Sequence, residues 1–222
     1  MHIGSGFLSP PVWGGLAVVS GAALAGSLAL ARKRLDDRKV PLMGVMGAFI
    51  FAAQMVNFPI LAGTSGHLGG GFFLGVLLGP SLGIIVMASI LVVQSLVFQD
   101  GGVEALGANI FVMGVVPCLM GGAIRRLWSR PRPGWPADVA TFLGSLVAVL
   151  AGATCVILFL RVSGALPAKV TLLEALAAMD FVHFFIGLVE GATSVAVVRF
   201  VVAARREAVF EVEEPALVKE AA

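Results

Sequence analysis

The feature that most constrains this chain is a succession of long apolar runs with little polar sequence between them. The runs cover residues 12–31, 41–58, 68–79, 81–98, 104–124, 137–160 and 177–204. A predominantly apolar helix of about 20 residues, rising about 1.5 Å per residue, crosses a hydrocarbon core of about 30 Å. Composition agrees. Apolar residues make up 59% of the chain and charged residues 13%, against about 45–50% and 25% in a soluble domain. That balance excludes a disordered protein and argues against an ordinary soluble enzyme. A net charge of +2 is too small to suggest nucleic acid. The reading is an all-α integral membrane protein, a bundle of about seven transmembrane helices. The third run is the exception, because its twelve residues reach only about 18 Å. It can span only with help from the glycine-rich stretch before it or inside a protein-lined cavity.

The basic residues are segregated. Arg32, Lys33, Arg34, Arg38 and Lys39 follow the first run, and Arg125, Arg126, Arg130 and Arg132 follow the fifth. Arg199, Arg205 and Arg206 close the seventh, while the opposite loops hold only Arg161 and Lys169. Cytoplasmic loops are enriched in Lys and Arg. Seven spans put all three clusters inside, with the N-terminus outside and the C-terminus cytoplasmic. Residues 1–206 then form a single transmembrane domain, and 207–222 a flexible acidic cytoplasmic tail. No basic segment precedes the first apolar run, so no cleavable signal peptide is expected. The bulky His2 disfavours removal of Met1.

Three places carry chemistry. At the N-terminus, the free amine, the His2 amide nitrogen and His2 Nδ1 can close a five- and a six-membered chelate ring on one metal. Another imidazole completes a square-planar N4 set, which suits Ni(II) or Cu(II), whereas zinc prefers a tetrahedral site. His67 lies among Gly66 and Gly69 to Gly71 on the same outer face. It is either an ordinary loop histidine or that further ligand. The last run contains Asp180, His183 and Glu190. Spaced seven apart, His183 and Glu190 share a helix face, as an interhelical hydrogen-bond pair or as support for a metal. Gln54, Asn57, Gln94 and Asn109 read in the same two ways, and Asp100 suits orienting a ligand imidazole. Gly44, Ala48 and Ala52 form a small-residue stripe for close helix packing. Cys118 and Cys155, inside apolar runs, read as buried packing residues. No phosphate-binding GxxxxGK[ST] loop occurs, so the chain itself should not hydrolyse ATP.

These residues carry a family resemblance. The opening MHIGSGFLS, the stretch NFPILAGTSGHLGGG, LLGP, FQDGGVEALGAN and HFFIGLVEG resemble the CbiM/NikM family, the substrate-capture (S) subunits of energy-coupling-factor transporters for nickel or cobalt. The likeness runs from Met1 to about Arg206. It implies a Ni2+ or Co2+ ion, as transported substrate, held by the Met1 amine, the His2 amide and imidazole, and the His67 imidazole. Asn57, Ser65, Asp100, His183 and Glu190 would support that set. It also implies seven helices and three kinds of partner: a transmembrane coupling (T) subunit, two cytoplasmic ATPase subunits and, in some systems, a small accessory membrane subunit. The subunit itself would be non-catalytic, toppling within the bilayer to release metal inside. The GTSGHL form is nearer the nickel branch than the cobalt branch. Two departures stand out: Gly4-Ser5 where many members carry an acidic residue, and Val112 where an Asn is common. The rival readings are a membrane assembly subunit that binds no metal and an intramembrane metal-dependent hydrolase. The second lacks an HExxH motif and an aspartate pair.

Overall fold

The structure, a computed structural model, describes residues 1–210 except 36, 38, 57, 62, 63 and 130–132. Its helices are α1 (Pro10–Arg34), α2 (Lys39–Gln54), α3 (Gly71–Leu78), α4 (Pro80–Val97), α5 (Leu106–Ile110), α6 (Val116–Trp128), α7 (Trp135–Val162) and α8 (Leu172–Val209). A π-helical turn, Phe111–Val115, joins α5 to α6 in one rod. Among the described residues the helices therefore make seven rods, in the order of the seven apolar runs. Five are long and apolar enough to cross a membrane.

Local chemistry sets the ends. A proline opens α1, α4 and α7, where its missing N–H costs nothing. A capping box between Thr171 and Glu174 starts α8, five residues before the apolar run does. The π turn precedes Pro117, which has no N–H to offer the carbonyl of Met113. Residues 211–222, most of the acidic tail, lie outside the described residues. Helix α8 continues to Val209, three residues past the end assigned to the transmembrane domain.

The glycine-rich stretch, expected to interrupt the helices, does so with a feature an all-α reading omits. Strands β1 (Phe58–Leu61) and β2 (Thr64–Gly66) form a short antiparallel hairpin. The chain then runs without regular structure from His67 to Gly70 before α3 begins. All eight residues of α3 are buried, so this short rod meets protein rather than lipid. It packs on α4, α6, α7 and α8. Its contact with α6 is backbone against backbone: a Cβ at Gly75 would strike the carbonyl of Cys118, and one at Gly121 the carbonyl of Phe72. Small residues permit such close approach between membrane helices.

The periphery is apolar. Val18, Phe49, Leu143, Phe181, Phe185 and Phe200 are exposed on it, as expected where lipid is the solvent. Basic groups in the last turn of α6 and near the end of α8 meet at one end of the bundle. There Arg125 donates to the carbonyls of Val76, Leu77 and Val209, and Arg206 to those of Trp128 and Ser129. Together these features describe a multi-pass membrane protein.

Candidate metal centre

The first residues of the chain fold into the bundle. Met1, His2 and Ile3 are all buried. Asn109, on α5, grips Ile3 as a neighbouring strand would. The Ile3 N–H donates to Asn109 Oδ1 (2.8 Å), and Asn109 Nδ2 donates to the Ile3 carbonyl (3.1 Å). The Gly102 N–H donates to the same carbonyl at 2.9 Å, and the Gly6 N–H donates to Glu104. The turn and helix start that carry FQDGGVEALGAN are thus a cradle for the N-terminus.

His67 arrives from the other side, on the loop after β2. Its Nδ1–H donates to the Leu68 carbonyl at 2.8 Å. That bond assigns the proton to Nδ1 and leaves a lone pair on Nε2, which lies 2.9 Å from the Met1 amine. His2 has the complementary tautomer. Its Nε2–H donates to Gln94 Oε1 (3.1 Å), Gln94 Nε2 donates to Gln54 Oε1 (3.0 Å), and Gln54 Nε2 donates to the Gly69 carbonyl (2.6 Å). This relay leaves the lone pair of His2 on Nδ1, which has no hydrogen-bond partner among the described residues. Asp100 Oδ1 lies 3.3 Å from it, without the alignment of a hydrogen bond. The two imidazole rings lie 4.6 Å apart between centroids, inclined by 34°.

Glu190 secures the loop. Its carboxylate accepts the N–H groups of Gly69 (2.6 Å) and Gly70 (2.9 Å). A side chain at Gly69 would come within 2.9 Å of that carboxylate, and Gly70 has a left-handed φ of +81°, so both positions require glycine.

Burial also tunes the donors. It lowers the Met1 amine from 8.0 to about 5, against the pull of Asp100 and Glu190. It lowers His2 to about 3, with the amine acting the same way and the bond to Gln94 opposing. His67 is held well below its ordinary value, first by burial and then by the amine and His2. At neutral pH all three groups are uncharged, with lone pairs available.

The structure therefore brings Met1, His2, His67, Asp100 and Glu190 together. His183 is also buried; its Nδ1–H donates to the Met179 carbonyl at 2.9 Å, and its Nε2 has no partner among the described residues. It does not pair with Glu190, whose carboxylate is turned to the glycine loop. Asn57 lies outside the described residues, and of Ser65 only the strand position on β2 is described. Glu104 had not been singled out; its place in FQDGGVEALGAN was the available signal. Among the described residues no three His, Cys, Asp or Glu side chains cluster as a metal site.

Comparison with known proteins identifies a family. Residues 2–208 match the family CbiM, described as the cobalt uptake substrate-specific transmembrane region. A relative from Haloquadratum walsbyi, described as a metal transport protein, is 40% identical over 95% of this chain and 94% of its own. A relative from Archaeoglobus fulgidus, described as a fused nickel transport protein, is 38% identical over 97% of this chain and 70% of its own. A crystal structure of a truncated transition metal transporter superposes with a TM-score of 0.81 at 30% identity, covering 92% of this chain and 99% of that one.

Proposed function

The chain belongs to the CbiM family of nickel and cobalt uptake proteins, and on that premise we propose that it captures one Ni2+ or Co2+ ion in a plane of four nitrogens. The donors are the Met1 amine, the His2 amide nitrogen, His2 Nδ1 and His67 Nε2. One observation carries this reading. The two imidazole nitrogens needed as ligands are those the hydrogen-bond network leaves with lone pairs, one facing the amine at 2.9 Å and the other buried without a partner.

The division of labour follows from the geometry. Asn109 and Gly102 hold the N-terminal backbone, and the Gln94–Gln54 relay sets the tautomer and ring plane of His2. Glu190 fixes the loop that presents His67, and Asp100 offsets the charge of the arriving cation. No covalent chemistry is required of the chain. The ion is cargo, and its release inside is driven by a transmembrane coupling subunit and two cytoplasmic ATPase subunits of the energy-coupling-factor type, with the N-terminus facing outward. Nickel is the favoured substrate, since square-planar nitrogen sites suit Ni(II) and the fused relative from Archaeoglobus fulgidus is described as a nickel transporter.

The test is to displace the amine. Adding two residues before Met1 converts it to an amide and fills a buried position. Nickel affinity, measured by titration calorimetry on the purified chain, should fall by about 100-fold or more, as should that of His2→Ala. Undiminished binding by the extended chain would remove the N-terminus from the site, whereas no nickel binding by the unaltered chain would favour a membrane assembly subunit that binds no metal.

A further inference from the structure

The chain has three histidines. All three are enclosed, at 3% exposure or less. Two of them are assigned above, and the third, His183, has a donor arrangement like that of His67. In both rings Nδ1–H donates to a backbone carbonyl, Leu68 for His67 and Met179 for His183. The lone pair is left on Nε2, and at His183 that nitrogen has no partner among the described residues. Buried polar atoms are almost always paired, so an orphan needs an explanation. His183 also lies within electrostatic reach of His67 and of the Met1 amine.

Its place along α8 gives a direction. Glu190, which anchors the His67 loop, is seven residues further along, about 10 Å at the helical rise. The basic residues Arg199, Arg205 and Arg206 lie beyond Glu190, so His183 is on the outer side of the loop anchor if basic residues mark the cytoplasmic end. Helix α8 also packs on β1 and β2.

We propose that His183 is a way-station ligand, whose Nε2 binds the metal ion transiently as it passes between the outer medium and the four-nitrogen plane. This rests on the capture site proposed above. An aquated Ni2+ or Co2+ ion has to exchange waters for nitrogens before the plane can close, and neutral imidazole is a good ligand for either metal. A nitrogen on the route lets the first waters leave before the His2 amide gives up its proton. Because the same route serves binding and loss to the outside, His183 sets the exchange rate and leaves the equilibrium unchanged.

The experiment is stopped-flow nickel binding, and release to an external chelator, on the full chain in lipid nanodiscs, followed at the absorption band of the planar nickel site. His183→Ala and His183→Gln are compared with the unaltered chain. Glutamine keeps a polar side chain of similar length but supplies no imidazole nitrogen, so it carries the test if the alanine form does not accumulate. Association and dissociation should both slow by about tenfold or more, with Kd unchanged to within about twofold. Unchanged rates in His183→Gln would overturn the proposal. So would a weaker Kd produced by faster release alone, which marks a resident ligand or a packing prop. If the unaltered chain shows no planar band that disappears in His2→Ala, the capture site itself fails and this proposal falls with it.

Discussion

At the scale of single residues, the proposed centre depends on nitrogens that are neutral before metal arrives. The Met1 amine protonates at about 5 when docked against an ordinary 8.0. A base whose pKa is lowered by docking favours the undocked state wherever the free group is protonated and the docked one is not. The N-terminus is therefore held most firmly above about pH 8, and its docking weakens as pH falls toward 5. Metal binding inherits this behaviour. Near neutral pH only the His2 amide has a proton to lose, so log Kd should fall by about one per pH unit, steepening below about pH 5 as the amine takes a second proton. Calorimetric titration across this range checks it, and a slope of two at pH 7 would show that the amine is charged in the free protein. Much of this centre was legible in the sequence, since histidines and a carboxylate inside an apolar chain stand out. The relay from His2 through Gln94 and Gln54 to Gly69 was not. Its members could be read as polar groups in helices, but which faces meet depends on packing.

At the scale of elements, α3 is the part most sensitive to shape. It is short, wholly buried and joined directly to the His67 loop, so its position sets where that imidazole sits. Gly75→Val forces a side chain into the Cys118 carbonyl, a contact between backbones that neither helix can relieve by a rotamer change. The expected cost is about 2–3 kcal/mol or more, read as lower thermal stability and yield in detergent, with nickel binding lost in what remains. Gly26→Ala, where nothing lies within 4 Å, is the neutral control. Equal behaviour of the two variants would contradict the close packing of α3 on α6. The seven rods could be read from apolar runs and prolines because those signals are local. The β1–β2 hairpin could not, since strands of four and three residues are too short for a periodic pattern to emerge from a glycine-rich stretch.

At the scale of the whole molecule, the account needs the site to open outward and the arginine-rich end to face inward. Cysteines introduced as Lys169→Cys and Ser129→Cys, in a chain whose Cys118 and Cys155 have been replaced by serine, should separate the two faces. An impermeant maleimide added to intact cells should label the first and spare the second. The reverse pattern would invert the topology. The central claim, however, is the four-nitrogen plane, and the most direct measurement is X-ray absorption of the nickel-loaded full chain combined with its magnetic state. Four nitrogen neighbours in a plane and a diamagnetic ion are predicted, because planar Ni(II) leaves no unpaired electrons. Six oxygen and nitrogen neighbours around a paramagnetic ion would contradict it, leaving a chain that transports metal by some other set of ligands.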